Sequence, residues 1–280
     1  MASTGTAFFR ILLCCLLAAL AGCASTGSLR GNGLAHYAEN ADATYRIDVT
    51  SGHGSGIVVS ADGHILTCRH VIEGEATATI SIMESGAAPH VYTARVLATD
   101  EANDLALLRI DRRFRSPAVI GSDDDAGPGV LVYNIGYPFS FGEVTGRGYI
   151  MRTGYTSFEG SVPIRGVILA DIPDGPGTSG SAVYAESSGR VIGIMRMMIA
   201  VGRRGAPPMV VRVLTPTDRI RAFLETNRVP YLRWNGDLAQ YPPLPPPARA
   251  AHRAPRDVTP AGPLRPFSKS GPLRTAFFFY

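Results

Sequence analysis

The chain is poor in the residues that staple exported domains together or hold metals. Of its four cysteines, Cys14 and Cys15 lie inside an N-terminal apolar segment and Cys23 stands at its end. Cys68 alone remains for the body of the chain, which excludes an intramolecular disulfide there and leaves stability to a hydrophobic core. His36, His53, His64, His90 and His252 show no paired ligand spacing, so neither a bound metal nor another cofactor is expected. No apolar run is long: Ile11 to Ala21 is too short to cross a bilayer as a permanent helix. Helical periodicity is almost missing between Tyr45 and Val213, which argues against a helical bundle. Charged residues make up only 18% against 45% hydrophobic, a balance that a disordered chain does not have.

Charge is also unevenly spread. The formal +4 arises beyond residue 227, where eight basic residues face only Asp237 and Asp257, so residues 11–227 are mildly acidic. The basic isoelectric point belongs to the tail, implies no basic face on the folded part, and gives no reason to expect a nucleic-acid partner. At the other end, Arg10 precedes the apolar run, which closes in Leu20-Ala21-Gly22-Cys23. Small residues just before a cysteine, after a signal-like core, resemble the lipobox of bacterial lipoproteins. The resemblance implies removal of residues 1–22, lipid attachment at Cys23, and a membrane anchor facing the periplasm, on the outer membrane where there is one.

Residues 23–40, rich in Ser, Thr, Gly, Asn and Ala, read as a flexible tether. Residues 41–229 read as one folded domain. Short β-type runs recur at 56–59, 64–67, 79–82, 105–110, 130–135, 167–170, 191–195 and 209–214, broken by glycine and polar turns. Ala61-Asp62-Gly63 fits a hairpin turn between the first two. Many short strands at this spacing predict an all-β barrel or sandwich. One helix is expected, with Thr215 as cap, Pro216 in the first turn, and an apolar stripe of Ile220, Phe223 and Leu224 ending near Thr226. Residues 230–280 hold eleven of the 21 prolines, including Pro245-Pro246-Pro247, and are expected to stay extended and solvated.

Three motifs carry chemistry. Gly54-Ser55-Gly56-Ile57-Val58-Val59 leads to Thr67-Cys68-Arg69-His70-Val71; Asn103-Asp104 precedes Leu105-Ala106-Leu107-Leu108; Gly175-Pro176-Gly177-Thr178-Ser179-Gly180-Ser181 follows. A serine hydroxyl is a weak nucleophile at neutral pH and needs a base. A histidine ring, titrating near ~6.5, can take its proton and return it to a leaving amine. A buried aspartate must hold that ring in the correct tautomer. His70, Asp104 and Ser179 are the candidates, with Asp100 the alternative acid. A glycine two residues before the serine lets backbone N–H groups approach a developing oxyanion, which nominates the amides of Gly177 and Ser179. Cys68 reads as a small buried side chain rather than a thiol nucleophile.

The three motifs, in the order His, Asp, Ser, resemble those of the chymotrypsin-fold serine peptidases. Within that clan they are most similar to the bacterial HtrA-type (Deg) proteases. Gly136-Tyr137-Pro138-Phe139, Val191-Ile192-Gly193-Ile194 and Asp171, eight residues before the serine, add to the likeness, which covers residues 45–214. It implies two six-stranded antiparallel β-barrels with the triad in the cleft between them, followed here by the expected C-terminal helix. It also implies that the strand 16–18 residues after the nucleophile walls the substrate pocket, which maps to Met195, Arg196 and Met197. Two positions depart from the family pattern: Thr178 stands for an asparagine or aspartate, and Ser181 for a glycine. The chain has no further segment that reads as a regulatory peptide-binding domain.

The implied activity is an envelope endopeptidase acting on unfolded or misassembled polypeptides through an acyl-enzyme on Ser179. A catalytically silent binding or assembly module is the alternative, resting on Thr178 and Ser181. A third reading makes the proline-rich tail a spacer toward an envelope partner.

Overall fold

The computed structural model describes residues 34–82, 89–157, 164–202 and 208–239, together with the backbone of 274–278. The segment 1–22, Cys23, most of the expected tether, and residues 240–273 lie outside the described residues.

Six strands form a closed first barrel: β1 (Thr44–Val49), β2 (Gly52–Val58), β3 (His64–Thr67), β4 (Thr77–Ile82), β5 (His90–Asp100) and β6 (Leu105–Arg109). Their order around the barrel is β1-β2-β3-β6-β5-β4, the neighbours pairing antiparallel. The expected hairpin joins β2 to β3, with Val58 opposite Ile65 and Gly63 in the left-handed region that the turn demands. Ile47, Ile57, Ile65, Leu66 and Ile80 are fully buried on these strands.

The second barrel comprises β7 (Leu131–Gly136), β8 (Val144–Ser157), β9 (Ile164–Asp171), β10 (Ala182–Ala185), β11 (Val191–Gly202) and β12 (Met209–Pro216). The order β10-β7-β8-β9-β12-β11 closes through a β10–β11 pairing. Val132, Ile150, Ile168, Ile192 and Leu214 share its core. Against the solvated tail expected over 230–280, Arg274–Phe278 forms a further strand, β13, antiparallel to β11 over Met198–Gly202, because the β11 edge offers it a hydrogen-bonding partner. The fold class is as the motifs implied: all-β, two six-stranded barrels and a helix after the second.

Local departures have physical reasons. The expected tether to residue 40 gives way to helix α1 (Tyr37–Asp42). Asn40 holds it down, donating to the Tyr133 hydroxyl at 2.7 Å and to Gly189 O at 2.9 Å, and buried amides require such partners. The later helix, α2 (Thr217–Thr226), buries Ile220, Phe223 and Leu224 as its stripe predicted, each contributing roughly 1.5–3 kcal/mol. Thr215 is not its cap; it belongs to β12 and donates its hydroxyl to Asn103 O at 2.8 Å. Packing runs past the boundary expected at residue 229: Tyr231 is fully buried, Ala239 nearly so, and Ile120 N donates to Leu232 O. Strands β5 and β8 had no apolar run to announce them, because most of their side chains face outward.

Candidate active site

The first barrel presents a histidine and a carboxylate from adjacent turns. His70 sits on a 3-10 turn, Arg69–Ile72, that follows β3, and Asp104 ends the turn before β6. Asp104 grips the histidine turn at three points. Its Oδ2 accepts from His70 Nδ1 at 2.7 Å, its Oδ1 accepts the His70 backbone N–H at 3.0 Å, and its own carbonyl accepts Arg69 N–H at 3.2 Å. With a proton on Nδ1 for this bond, Nε2 is the basic nitrogen of the ring. Asp104 is 4% exposed and adopts φ 54°, a left-handed conformation that costs energy outside glycine and that its surroundings enforce. Asp100, the alternative acid, instead brackets that turn: it accepts from Asn103 N and Asn103 Nδ2.

The second barrel supplies the serine. Ser179 is 2% exposed, and its carbonyl accepts Ser55 N–H from β2 at 2.8 Å. The next residue, Gly180, has φ 86°, and a Cβ there would stand 2.2 Å from Ser55 O and 3.1 Å from Cys68 N. Only glycine lets the serine loop lie so close to the strand end that carries His70. On the other side, a Cβ at Gly54 would meet Val71, the neighbour of His70, and stand 3.1 Å from Ser179 O. The serine loop is therefore seated on the chain segments flanking the histidine.

The preceding turn is held by side chains and by one peptide orientation. Pro176 O accepts Phe139 N–H at 2.6 Å, and every described peptide is trans, so the Gly177 N–H points away from Phe139. Gly177 O accepts the Ser55 hydroxyl at 2.7 Å, while Ser55 Oγ accepts Tyr137 N–H at 3.0 Å. Gly177 has φ 102°, and a Cβ would fall 2.4 Å from both His53 Nε2 and Tyr137 O. Of the two departures from the family pattern, Thr178 is satisfied: its hydroxyl donates to Gly175 O at 2.7 Å and closes the turn. Ser181 lies beside Gly136 with its hydroxyl buried and, among the described residues, without a hydrogen-bond partner. Asp174 lies 2.5 Å from Arg212 and 3.3 Å from the Thr178 hydroxyl; burial pushes its carboxyl up to about 6 although Arg212 and Thr178 pull it down.

An open cleft of about 590 Å³ beside the histidine is lined by His53, His70, Val71, Phe139 and Gly177. Phe139 and Phe141 stand exposed at its edge with ring centroids 5.4 Å apart. His53 directly precedes the Gly54-Ser55-Gly56 motif and Phe139 ends the Gly136-Tyr137-Pro138-Phe139 stretch, but their meeting at the cleft could not be read from either segment alone.

The pocket wall expected at Met195, Arg196 and Met197 is not formed by their side chains. Met195 and Met197 are 1% and 2% exposed and belong to the barrel's interior clusters. Between them β11 carries a bulge: Met195 pairs with Leu214 and Met197 with Val213, so Arg196 is the extra residue. A bulge re-aims its side chain, and the Arg196 guanidinium turns to Asp104, with Nε 3.6 Å from Oδ2. Cys68 is fully buried and donates its Sγ proton to Met195 O at 3.1 Å. Burial, and then the Asp104 charge, push its thiol well above the ordinary range. It stays protonated, as expected of a small buried side chain and unlike a nucleophile. Cys68, His70 and Asp104 place one ligand-type atom each within 4.8 Å of one another. A protonated thiol and a neighbouring guanidinium make this group a poor cation cage.

The comparisons agree with this geometry. The family described as trypsin-like peptidase domain matches residues 54–194. A probable periplasmic serine endoprotease DegP-like from Marinomonas sp. (strain MWYL1) is 33% identical over 145 residues, 51% of this chain and 29% of the relative. Protease Do-like 1, chloroplastic, of Arabidopsis thaliana is 34% identical over 152 residues, 53% of this chain and 34% of the relative. The matched region thus spans about a third of these relatives' length. The solved structure titled "HtrA-type protease AlgW with tripeptide" superposes with a TM-score of 0.59 at 25% identity, covering 69% of this chain and 63% of that one. The match spans half of the sequence, from the glycine-serine-glycine strand through the serine loop to β11, and the chain belongs to the trypsin-like peptidase family.

Proposed function

We propose that this chain is a serine endopeptidase of the HtrA type, with His70, Asp104 and Ser179 as its triad. The observation that carries the reading is the 2.7 Å His70–Asp104 bond, with the Ser179 loop seated on the residues flanking that histidine. His70 Nε2 takes the Ser179 Oγ proton as Oγ bonds to the peptide carbonyl carbon. It then delivers that proton to the departing amine, leaving an acyl-enzyme. Water, deprotonated by the same nitrogen, releases the acid and restores Ser179. The amides of Gly177 and Ser179 stabilise the oxyanion, a role consistent with a Gly177 N–H turned away from Phe139. Extended polypeptides, unfolded or misassembled, are the substrates, in keeping with a peptide-bound relative. A periplasmic site of action follows from the DegP-like relatives, and lipid on Cys23 would tether the enzyme to the membrane, the tail then serving as a spacer toward an envelope partner.

The peptidase domain is residues 41–229, with the helix Tyr37–Asp42 and the packed residues through Ala239 completing its fold. The Thr178 hydroxyl closing the serine turn weighs against a silent module. A fluorophosphonate probe tests the reading directly: the wild type should label and cleave casein, and Ser179→Ala should do neither while keeping its circular-dichroism spectrum. An unlabelled, inactive wild type would sink the proposal. The anchor is tested separately by feeding cells a palmitate analogue, which should mark the wild type and not Cys23→Ser.

A further inference from the structure

The triad carboxylate has a second cation beside it, and the chain goes to structural lengths to place it there. Arg196 is 5% exposed, among the most buried charged residues in the fold. Charges are kept out of water only when something pairs with them. Its partner is Asp104 Oδ2, the same oxygen that accepts from His70 Nδ1. Among the described residues Arg196 Nε makes no hydrogen bond, so at that atom its bearing on the carboxylate is that of a charge rather than a donor. The bulge that turns Arg196 out of the pleat begins at Met195, whose carbonyl is held by Gly180 N–H at 2.8 Å and by Cys68 Sγ at 3.1 Å. The serine loop and the histidine segment thus both fix the carbonyl next to Arg196.

We infer that Arg196 is a positioning residue of the triad that sets the basicity of His70 through Asp104, extending peptidase activity toward acid pH. The inference rests on the triad reading above. Protonating His70 during catalysis adds a second positive charge to a carboxylate already facing one. Both cations then lie against one buried carboxylate, where like charges repel more strongly than in bulk water. The other charged groups near His70 are accounted for. Arg69, on the same turn, bonds Glu73 at 3.1 Å, and Glu73 and His53 line the open side of the cleft where water screens them. Cys68 is buried beside Asp104 but uncharged. From the turn before β6, Asp100 is engaged with Asn103. Arg196 is thus the buried charge from β11 at the carboxylate.

The test is the pH profile of kcat/KM on a fluorogenic peptide from pH 5 to 9 for the full chain. Arg196→Met and Arg196→Gln, the latter retaining polarity should the former not fold, should move the acid limb to higher pH by about one unit. Arg196→Lys, which keeps the charge, should hold the limb within a few tenths of the wild type. A neutral variant that lost activity equally at every pH, with its limb in place, would overturn the inference and leave Arg196 a purely structural group. Fluorophosphonate labelling at the alkaline plateau separates the two readings. Labelled variants with an unshifted limb refute the role of Arg196 alone, whereas hydrolysis persisting in Ser179→Ala would refute the triad itself.

Discussion

Replacing Asp104 with asparagine perturbs this site in two ways that can be measured apart. The carboxylate offers two acceptor oxygens, one to the His70 backbone N–H at 3.0 Å and one to Nδ1 at 2.7 Å. An asparagine has only one oxygen for the two. The backbone N–H cannot change its polarity, so the oxygen goes there and the amide NH₂ faces Nδ1. The ring must then carry its proton on Nε2, where it can no longer accept one from Ser179. A tautomer fault of this kind costs on the order of 10⁴ in turnover, the figure from a chymotrypsin-type enzyme. The second effect is on stability. Asparagine leaves the Arg196 guanidinium, 6% exposed at its side chain, without its counter-charge. Removing one partner of a buried pair costs about 3 kcal/mol, the lower end of the usual range, since this contact is not a hydrogen bond. Single-turnover hydrolysis with urea unfolding monitored by fluorescence reads both quantities. Asp104→Asn should lose nearly all turnover and unfold at lower urea, and Asp104→Asn/Arg196→Met should regain stability but not activity. An Asp104→Asn variant as stable as the wild type would refute the argument that Arg196 depends on this carboxylate.

Three further outcomes follow from the geometry. Gly177→Ala should abolish fluorophosphonate labelling, because its methyl would lie 2.4 Å from Tyr137 O in a backbone conformation that alanine resists; normal labelling would mean the turn can be rebuilt. The Asp174 carboxyl, raised to about 6 from 3.8, contributes stability that is complete below about pH 4 and lost as pH rises through 6. Asp174→Asn should therefore gain on the wild type in urea-unfolding free energy between pH 4 and 7, by roughly 2–3 kcal/mol at most; a relative loss would mean that the Arg212 ion pair outweighs burial. Truncation after Ala239 should leave casein hydrolysis intact although it bares the β11 edge at Met198–Gly202, whereas truncation after Arg228 should destabilise by removing the buried Tyr231; inactivity of the longer form would place the tail in the catalytic unit.

The three motifs could be read in the sequence because each is local. A glycine two residues before a serine, a histidine just past a strand, and an aspartate before an alternating apolar run are patterns within a few residues. The turn at Gly63 and the stripe of α2 were legible for the same reason: backbone conformation and amphipathic period are properties of short segments. Strands β5 and β8 were not, since outward-facing residues carry no apolar pattern and only pairing with neighbours makes them strands. Nor could β11 be read correctly. Its spacing from the serine suggested a pocket wall, but a one-residue bulge sent Arg196 to Asp104 and left both methionines inside the barrel. A bulge exists only relative to a partner strand, here β12, which lies outside the motif. The sequence by itself determined which residues could do the chemistry; tertiary pairing decided which charge sits beside them, because register and burial depend on residues far apart along the chain.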